Sequence, residues 1–200
     1  MRWFTSDLHL GHVRIIDYTD RPYRHVAEMN EGLIALWNAV VDPDDEVWVI
    51  GDLAMGRIDE SLPHAARLVG RKHLVIGNHD RPFSDPDRRD HWVQRYLDVG
   101  GFTELHDGEV ECTLADRTLR LCHFPYEGDH GDEDRYPEHR PIDDGRWLLH
   151  GHVHEEWRQR GRMINVGVDA WAGQPVSEEQ LAELIDAGER NLDRRAWAHP

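Results

Sequence analysis

Cysteine is scarce in this 200-residue chain, which carries only Cys112 and Cys122. Two thiols ten residues apart, on what read as neighbouring strands, suit small buried side chains better than a disulfide, so a stapled extracellular fold is excluded. No apolar run approaches the roughly 18 residues that a membrane span needs. Asp7, His9 and His12 also interrupt the apolar stretch that a signal peptide would require, and a cytoplasmic location is the expectation. Lysine is almost missing, Lys72 being a rare exception among the basic residues, and no functional conclusion follows from that. Positive charge as a whole is in deficit: 23 Lys and Arg against 39 Asp and Glu give a formal charge of -16. There is no basic run, whereas a protein that holds long nucleic acid by neutralising phosphates needs a basic face. Long nucleic acid is therefore disfavoured as a partner. Short oligonucleotides and small phosphoesters remain open, because bound divalent cations offset negative charge locally.

What is present is an ordinary globular composition, 39% hydrophobic and 31% charged, in a length that suits one domain over 1–200. Strand-like runs fall at 2–6, 46–50, 73–76, 109–114, 118–122, 147–150 and 162–166. Between the first three lie helical patterns at 26–40, with Met29, Leu33, Leu36, Trp37 and Val40 on one stripe, and at 60–69. A further helix is expected over 86–99, and Ser177-Glu178-Glu179-Gln180 has the capping-box form ahead of Leu181, Leu184 and Ile185. Such an order, βαβαβ and then mostly strands, points to a layered α/β sandwich rather than a purely parallel sheet. Segment 126–146, dense in Gly, Pro, Asp, Glu and Arg, is a long irregular loop and a candidate substrate rim.

Polar residues gather where the strands end, the position at which α/β proteins place ligands. Asp7 and His9 follow the first strand; Gly51-Asp52, Gly77-Asn78-His79-Asp80, His123 and His150-Gly151-His152-Val153-His154 follow four others. A strand sends residues i and i+2 to one side, so Asp7 with His9, and His152 with His154, can each converge on a point. Singly, these clusters read as turns or as a core histidine; five at the same topological place read as one site. Carboxylates, an amide oxygen and imidazoles suit Mn, Fe, Co, Ni or Zn, and the absence of cysteine donors argues against a closed structural zinc site. Seven donors are too many for one ion. They suit a pair of ions bridged by a carboxylate, an arrangement that clamps a phosphoryl oxygen and makes hydroxide from water.

The ordered blocks Asp7-Leu8-His9, Gly51-Asp52, Gly77-Asn78-His79-Asp80, His123 and Gly151-His152-Val153-His154 resemble those of the calcineurin-like metallophosphoesterase superfamily. "SDLHLGH", "RPY" and "INVGVDAW" look like a group of small single-domain bacterial or phage phosphoesterases. The resemblance implies a four-layer α/β/β/α sandwich with two mixed sheets. It also implies two divalent metal ions, manganese by preference: one held by Asp7, His9 and His154, the other by Asn78, His123 and His152, with Asp52 bridging. In this family His79 would be no ligand but would face the phosphoryl group as general acid, with Asp80 holding its ring; Asn78 and His79 would both meet substrate. By position alone, His12 and Arg14, and Arg135, His139 and Arg140 of the long loop, are candidate substrate contacts, His150 is a candidate second layer, and His25, His64, His73, His91, His106, His130 and His199 read as surface residues.

The expected activity is a metal-dependent phosphohydrolase in which a metal-bridging hydroxide attacks phosphorus. Phosphodiesters are preferred to monoesters because no cap domain is evident and both ester arms find open space. The alternatives are a phosphomonoesterase or a nuclease, the latter disfavoured by the charge balance, and a non-catalytic metal-containing binding scaffold, which predicts missing ligands where none is missing. A metal store or sensor would gain nothing from the His79-Asp80 pair.

Overall fold

The computed structural model describes residues 1–131 and 133–197. The first half alternates strands and helices: β1 (Arg2–Thr5), α1 (Ile15–Tyr18), α2 (Val26–Asn38), β2 (Glu46–Val49), α3 (Ile58–Ser61), β3 (Arg71–Val75), α4 (Arg81–Ser84), α5 (Arg89–Asp98) and β4 (Phe102–His106). The second half is mostly strand: β5 (Glu109–Leu114), β6 (Arg117–Cys122), β7 (Leu148–His150), β8 (Gln159–Gly161), β9 (Met163–Asn165), β10 (Val176–Ser177), α6 (Glu178–Asp186) and β11 (Arg190–Leu192).

The strands form two mixed sheets, ordered β10-β1-β2-β3-β4 and β11-β8-β9-β7-β6-β5. In the first, β1 to β4 run parallel and β10 returns antiparallel to β1; in the second, β6, β7 and β9 are the parallel set. Alternation along each strand sorts the side chains onto two faces. Val47, Val49 and Leu74 pack with Met29, Leu33 and Trp37 of α2 and Tyr96 of α5. On the opposite face Phe4, Ile50 and Val75 meet Leu119, Leu121, Leu149 and Ile164 of the second sheet, and Leu181 and Ile185 of α6 close the margin of that inter-sheet core. The fold is the expected α/β sandwich of two mixed sheets with helices. On the outer face of the second sheet the long loop adds Phe124, Tyr126 and Tyr136 to Cys122, Leu148 and Met163.

Local chemistry sets the element ends. Ser177 accepts from the Gln180 N–H while the Gln180 side chain returns to the Ser177 N–H, the reciprocal cap expected for α6. The 60–69 helix is instead the single turn α3 followed by 3₁₀ turns over Leu62–Arg67, since Pro63 removes a donor at that point. Pro86 likewise opens a 3₁₀ turn and delays α5 to Arg89. Cys112 and Cys122 are free, one in the inter-sheet core and the other on the outer face of the second sheet. Among the described residues no helix is long and apolar enough to cross a membrane.

Candidate metal centre

Backbone pairing continues past the ends of β1 and β2. Asp7 N–H donates to Gly51 O (3.1 Å), His9 N–H to Asp52 O (3.0 Å) and Leu10 N–H to Leu53 O (2.9 Å). The strands themselves have ended, because Asp7, His9 and Asp52 take left-handed φ angles of 56°, 51° and 55°, and His152 and His154 after β7 take 72° and 47°. At a non-glycine residue this backbone costs about 1 to 2 kcal/mol. Five such residues at one edge aim carboxylates and imidazoles inward. Asp7 and His9 therefore converge as expected, but through successive left-handed turns and not through strand alternation. Glycine is required beside these donors for room: a Cβ at Gly77 would strike Asp52 Oδ1, and one at Gly151 would strike Ser6 Oγ and Asp7 Oδ2.

All seven expected donors come together. Asn78 Oδ1 lies 3.0 Å from His123 Nε2 and 3.0 Å from His152 Nδ1. Asp52 Oδ2 lies 3.4 Å from His123 Nε2 and 3.6 Å from His9 Nε2. His9 Nε2 is 3.9 Å from Asp7 Oδ1, and the His9 and His154 rings are 5.1 Å apart. Donor atoms of Asp7, His9 and His154, and again of Asp7, Asp52 and His123, lie within 4.8 Å of one another. His9 is 1% exposed, yet neither of its ring nitrogens has a hydrogen-bond partner. Two orphaned nitrogens on a buried imidazole, aimed among carboxylates, fit a cation.

The charge balance points the same way. Burial works against ionising Asp52, but His123, His9 and His79 hold its carboxyl well below the usual range. Burial likewise opposes a charge on His123, and Asp52 nevertheless raises it to about 9. Burial lifts Asp7 and pushes His9 well below its ordinary value, and burial together with His123 brings His152 down to about 3. A buried carboxylate that recruits an imidazolium is a site with a demand for positive charge, which a divalent ion meets.

Several expected roles are corrected. Asp80 does not hold the His79 ring: its carboxylate accepts from the N–H groups of Asp52 (3.0 Å), Leu53 (3.1 Å) and Gly77 (2.9 Å) and from Tyr96 OH (3.2 Å). It clamps the two ligand loops together and is a positioning residue; burial, with Asp52 beside it, lifts it to about 7. His79 remains half-buried at the centre, its N–H donating to Asp52 Oδ1 (2.8 Å) and its ring 5.5 Å from that of His9. His12 also reaches the centre, 5.4 Å ring to ring from His9. Arg14 does not, being exposed and turned to Tyr18 OH. His150 faces away and bonds Gly151 O through Nδ1. His139 packs on Phe83 and Phe124. His130 lies against His154, and His73 and His106 are half-buried around Trp48, so these three are not simple surface residues. His199 lies outside the described residues.

Arg135 and Arg140 are committed elsewhere, to buried Asp129. Asp129 Oδ2 in turn lies 3.0 Å from His152 Nε2, on the side of the ring away from Asn78. The other half of the centre repeats the device. Asp169 Oδ2 lies 3.2 Å from His154 Nδ1, and Arg21 takes both Asp169 oxygens at 2.8 Å while donating to Leu8 O (2.8 Å) and Asp7 O (2.7 Å). A carboxylate behind a ligating imidazole fixes its tautomer and orientation. The sequence did not single out Asp129, Asp169 or Arg21, although "RPY" and "INVGVDAW" contain Arg21 and Asp169.

No family model matches the chain. It is 35% identical over 212 residues to the Gene 66 protein of Mycobacterium phage L5, covering 92% of this chain and 93% of the phage protein. The chain belongs to the Gene 66 protein family. Other relatives are the Gene 66 protein of Mycobacterium phage D29, 35% identical over 95% of this chain and 98% of its own length, and the uncharacterized protein MJ1445 of Methanocaldococcus jannaschii, 27% identical over 93% of this chain and 92% of its own. Among solved structures, the protein of unknown function AQ665 from Aquifex aeolicus matches with a TM-score of 0.68 at 25% identity, over 92% of this chain and 98% of that one. AQ665 thus shares this sandwich over nearly its full length.

Proposed function

We propose that the chain is a metal-dependent phosphohydrolase with a dinuclear centre, acting on phosphodiesters in preference to monoesters. The observation that carries the reading is the position of Asp52, whose Oδ2 is within 3.6 Å of His9 on one side and 3.4 Å of His123 on the other. Asp7, His9 and His154 would hold one ion, Asn78, His123 and His152 the second, and Asp52 both. When bound there, the ions supply Lewis acidity toward phosphoryl oxygens and a nucleophile at neutral pH; the mixed oxygen and nitrogen donors suit manganese, and equally admit Fe, Co, Ni or Zn.

This chain's own groups do the rest. His79, outside the donor set and half-buried, carries a proton on its imidazole for the leaving oxygen. Its backbone N–H on Asp52 Oδ1 fixes it relative to the centre. Asp80 keeps the Asn78 and Asp52 loops in register through three backbone N–H groups. His12, with an unpartnered Nδ1, lines the approach and contacts the substrate. The formal charge of -16 favours a small diester or short oligonucleotide over a long one. The ordered resemblance to calcineurin-like metallophosphoesterases supports the same chemistry.

The test is hydrolysis of a chromogenic phosphodiester and the matching monoester by metal-stripped protein resupplied with Mn²⁺. Diester turnover is expected in the wild type and none in Asp52→Ala. His79→Ala is expected to keep its metal and lose about 10² to 10⁴ in rate. If neither ester turns over with Mn²⁺, Fe²⁺, Co²⁺, Ni²⁺ or Zn²⁺ while metal still binds, a non-catalytic metal-containing scaffold replaces this reading.

A further inference from the structure

A second group of metal-ligating side chains lies away from the Asp52 centre, on strands of the first sheet. Trp48 of β2 stands opposite His73 of β3, and His73 opposite Glu104 of β4, while His106 is two residues further along β4 and so on the same face. We propose that His73, Glu104 and His106 form a separate site for a divalent transition-metal ion, zinc by preference. Glu104 Oε2 lies 3.8 Å from His73 Nδ1 and 3.4 Å from His106 Nε2, and the three donor atoms are all within 4.8 Å of one another. Both of those nitrogens are shielded from solvent and lack a hydrogen-bond partner. They point at one carboxylate oxygen without bonding it. An ion among them satisfies all three atoms at once.

The rings are already held. Trp48 stacks on His73 with centroids 4.8 Å apart and planes at 16°, and lies 5.2 Å from His106 at 30°. Two imidazoles and one carboxylate are the three-ligand set of an open zinc site, with a water as fourth ligand. Imidazole nitrogen selects Zn over Mg or Mn; the Asp52 centre, with His9, His123, His152 and His154 among its donors, admits zinc as well, so the two sites are told apart by place and by variants and not by metal preference. The consequence of the second site is mechanical, since the ion would tie the edge strand β4 to β3 through side chains.

Equilibrium dialysis of the full chain against Zn²⁺ near neutral pH, followed by assay of protein-bound zinc, tests the proposal on wild type, His106→Ala and Glu104→Gln. The wild type is expected to hold one zinc per chain more than either variant. Asp52→Ala is expected to retain that extra zinc while losing hydrolysis, which separates this site from the proposed activity. Equal zinc in wild type and variants overturns the proposal. Should His106→Ala fail to fold, the histidine ring resonances of the wild type decide: joint shifts of His73 and His106 on adding zinc support the site, and unmoved resonances overturn it.

Discussion

A buried imidazole with neither nitrogen bonded, as at His9, leaves polar groups desolvated at a cost of about 1 to 3 kcal/mol each, a cost that a cation removes. At the scale of single residues the centre is built in two layers, donors in front and carboxylates behind. His154 is backed by Asp169 and Arg21, and His152 by Asp129 with Arg135 and Arg140. Asp169→Asn is expected to weaken metal binding about 10- to 100-fold, as loss of an orienting carboxylate does. It is also expected to destabilise the fold by about 3 kcal/mol, because Arg21 is left buried without its partner; Mn²⁺ titration and urea unfolding read the two effects separately. Six of the seven donors were legible in the sequence because each stands beside a glycine or in an i, i+2 pair after a strand; His123 has neither mark and was legible only from its place at a strand end. The backing carboxylates were not. Arg21 and Asp169 are 148 residues apart with no spacing rule to join them, and Asp129 is one acid in a segment full of acids.

At the scale of elements, the pattern located the core strands and the long α2, but not β8, β10 and β11, which are two or three residues long and, unlike the equally short β7 and β9, carry no apolar run. β4 was also missed, because Thr103 and Glu104 are exposed on an edge. The Ser177 capping box was read correctly; Ser177→Ala is expected to cost about 1 kcal/mol in urea unfolding. Lys72 on β3 is 4% exposed, its Nζ donating to Leu68 O (2.8 Å), and burial lowers its pKa from 10.5 to about 8. A folded-state pKa below the unfolded one means that the native state binds this proton more weakly, so stability falls as pH drops from 10.5 through 8 and is level below that. Lys72→Met is therefore expected to be more stable than wild type at neutral pH, by on the order of 2 kcal/mol. That advantage should shrink as pH rises above 8. A difference independent of pH would contradict the assignment.

Over the whole molecule, the two sheets are oriented so that the carboxyl ends of β1, β2 and β3 and those of β6 and β7 open onto one edge. The Ser6–Gly167 bridge and the Val168 N–H to Ser6 O bond (3.0 Å) tie the sheets together there. The fold class and the place of the candidate site were legible from strand order; the cause of the donors' convergence was not, since Asp and His favour the left-handed region over most residues but still adopt it too seldom for the sequence to mark Asp7, His9, Asp52, His152 and His154. The long loop over the second sheet brings Asp129 to His152, so it serves the centre as well as the outer core, a role its composition did not reveal. The most direct test of a shared Asp52 is frozen-solution electron paramagnetic resonance of the Mn²⁺-loaded chain. Two ions bridged by one carboxylate are expected to give an exchange-coupled signal that Asp52→Ala abolishes; signals from isolated ions alone, at saturating Mn²⁺, would contradict a dinuclear centre.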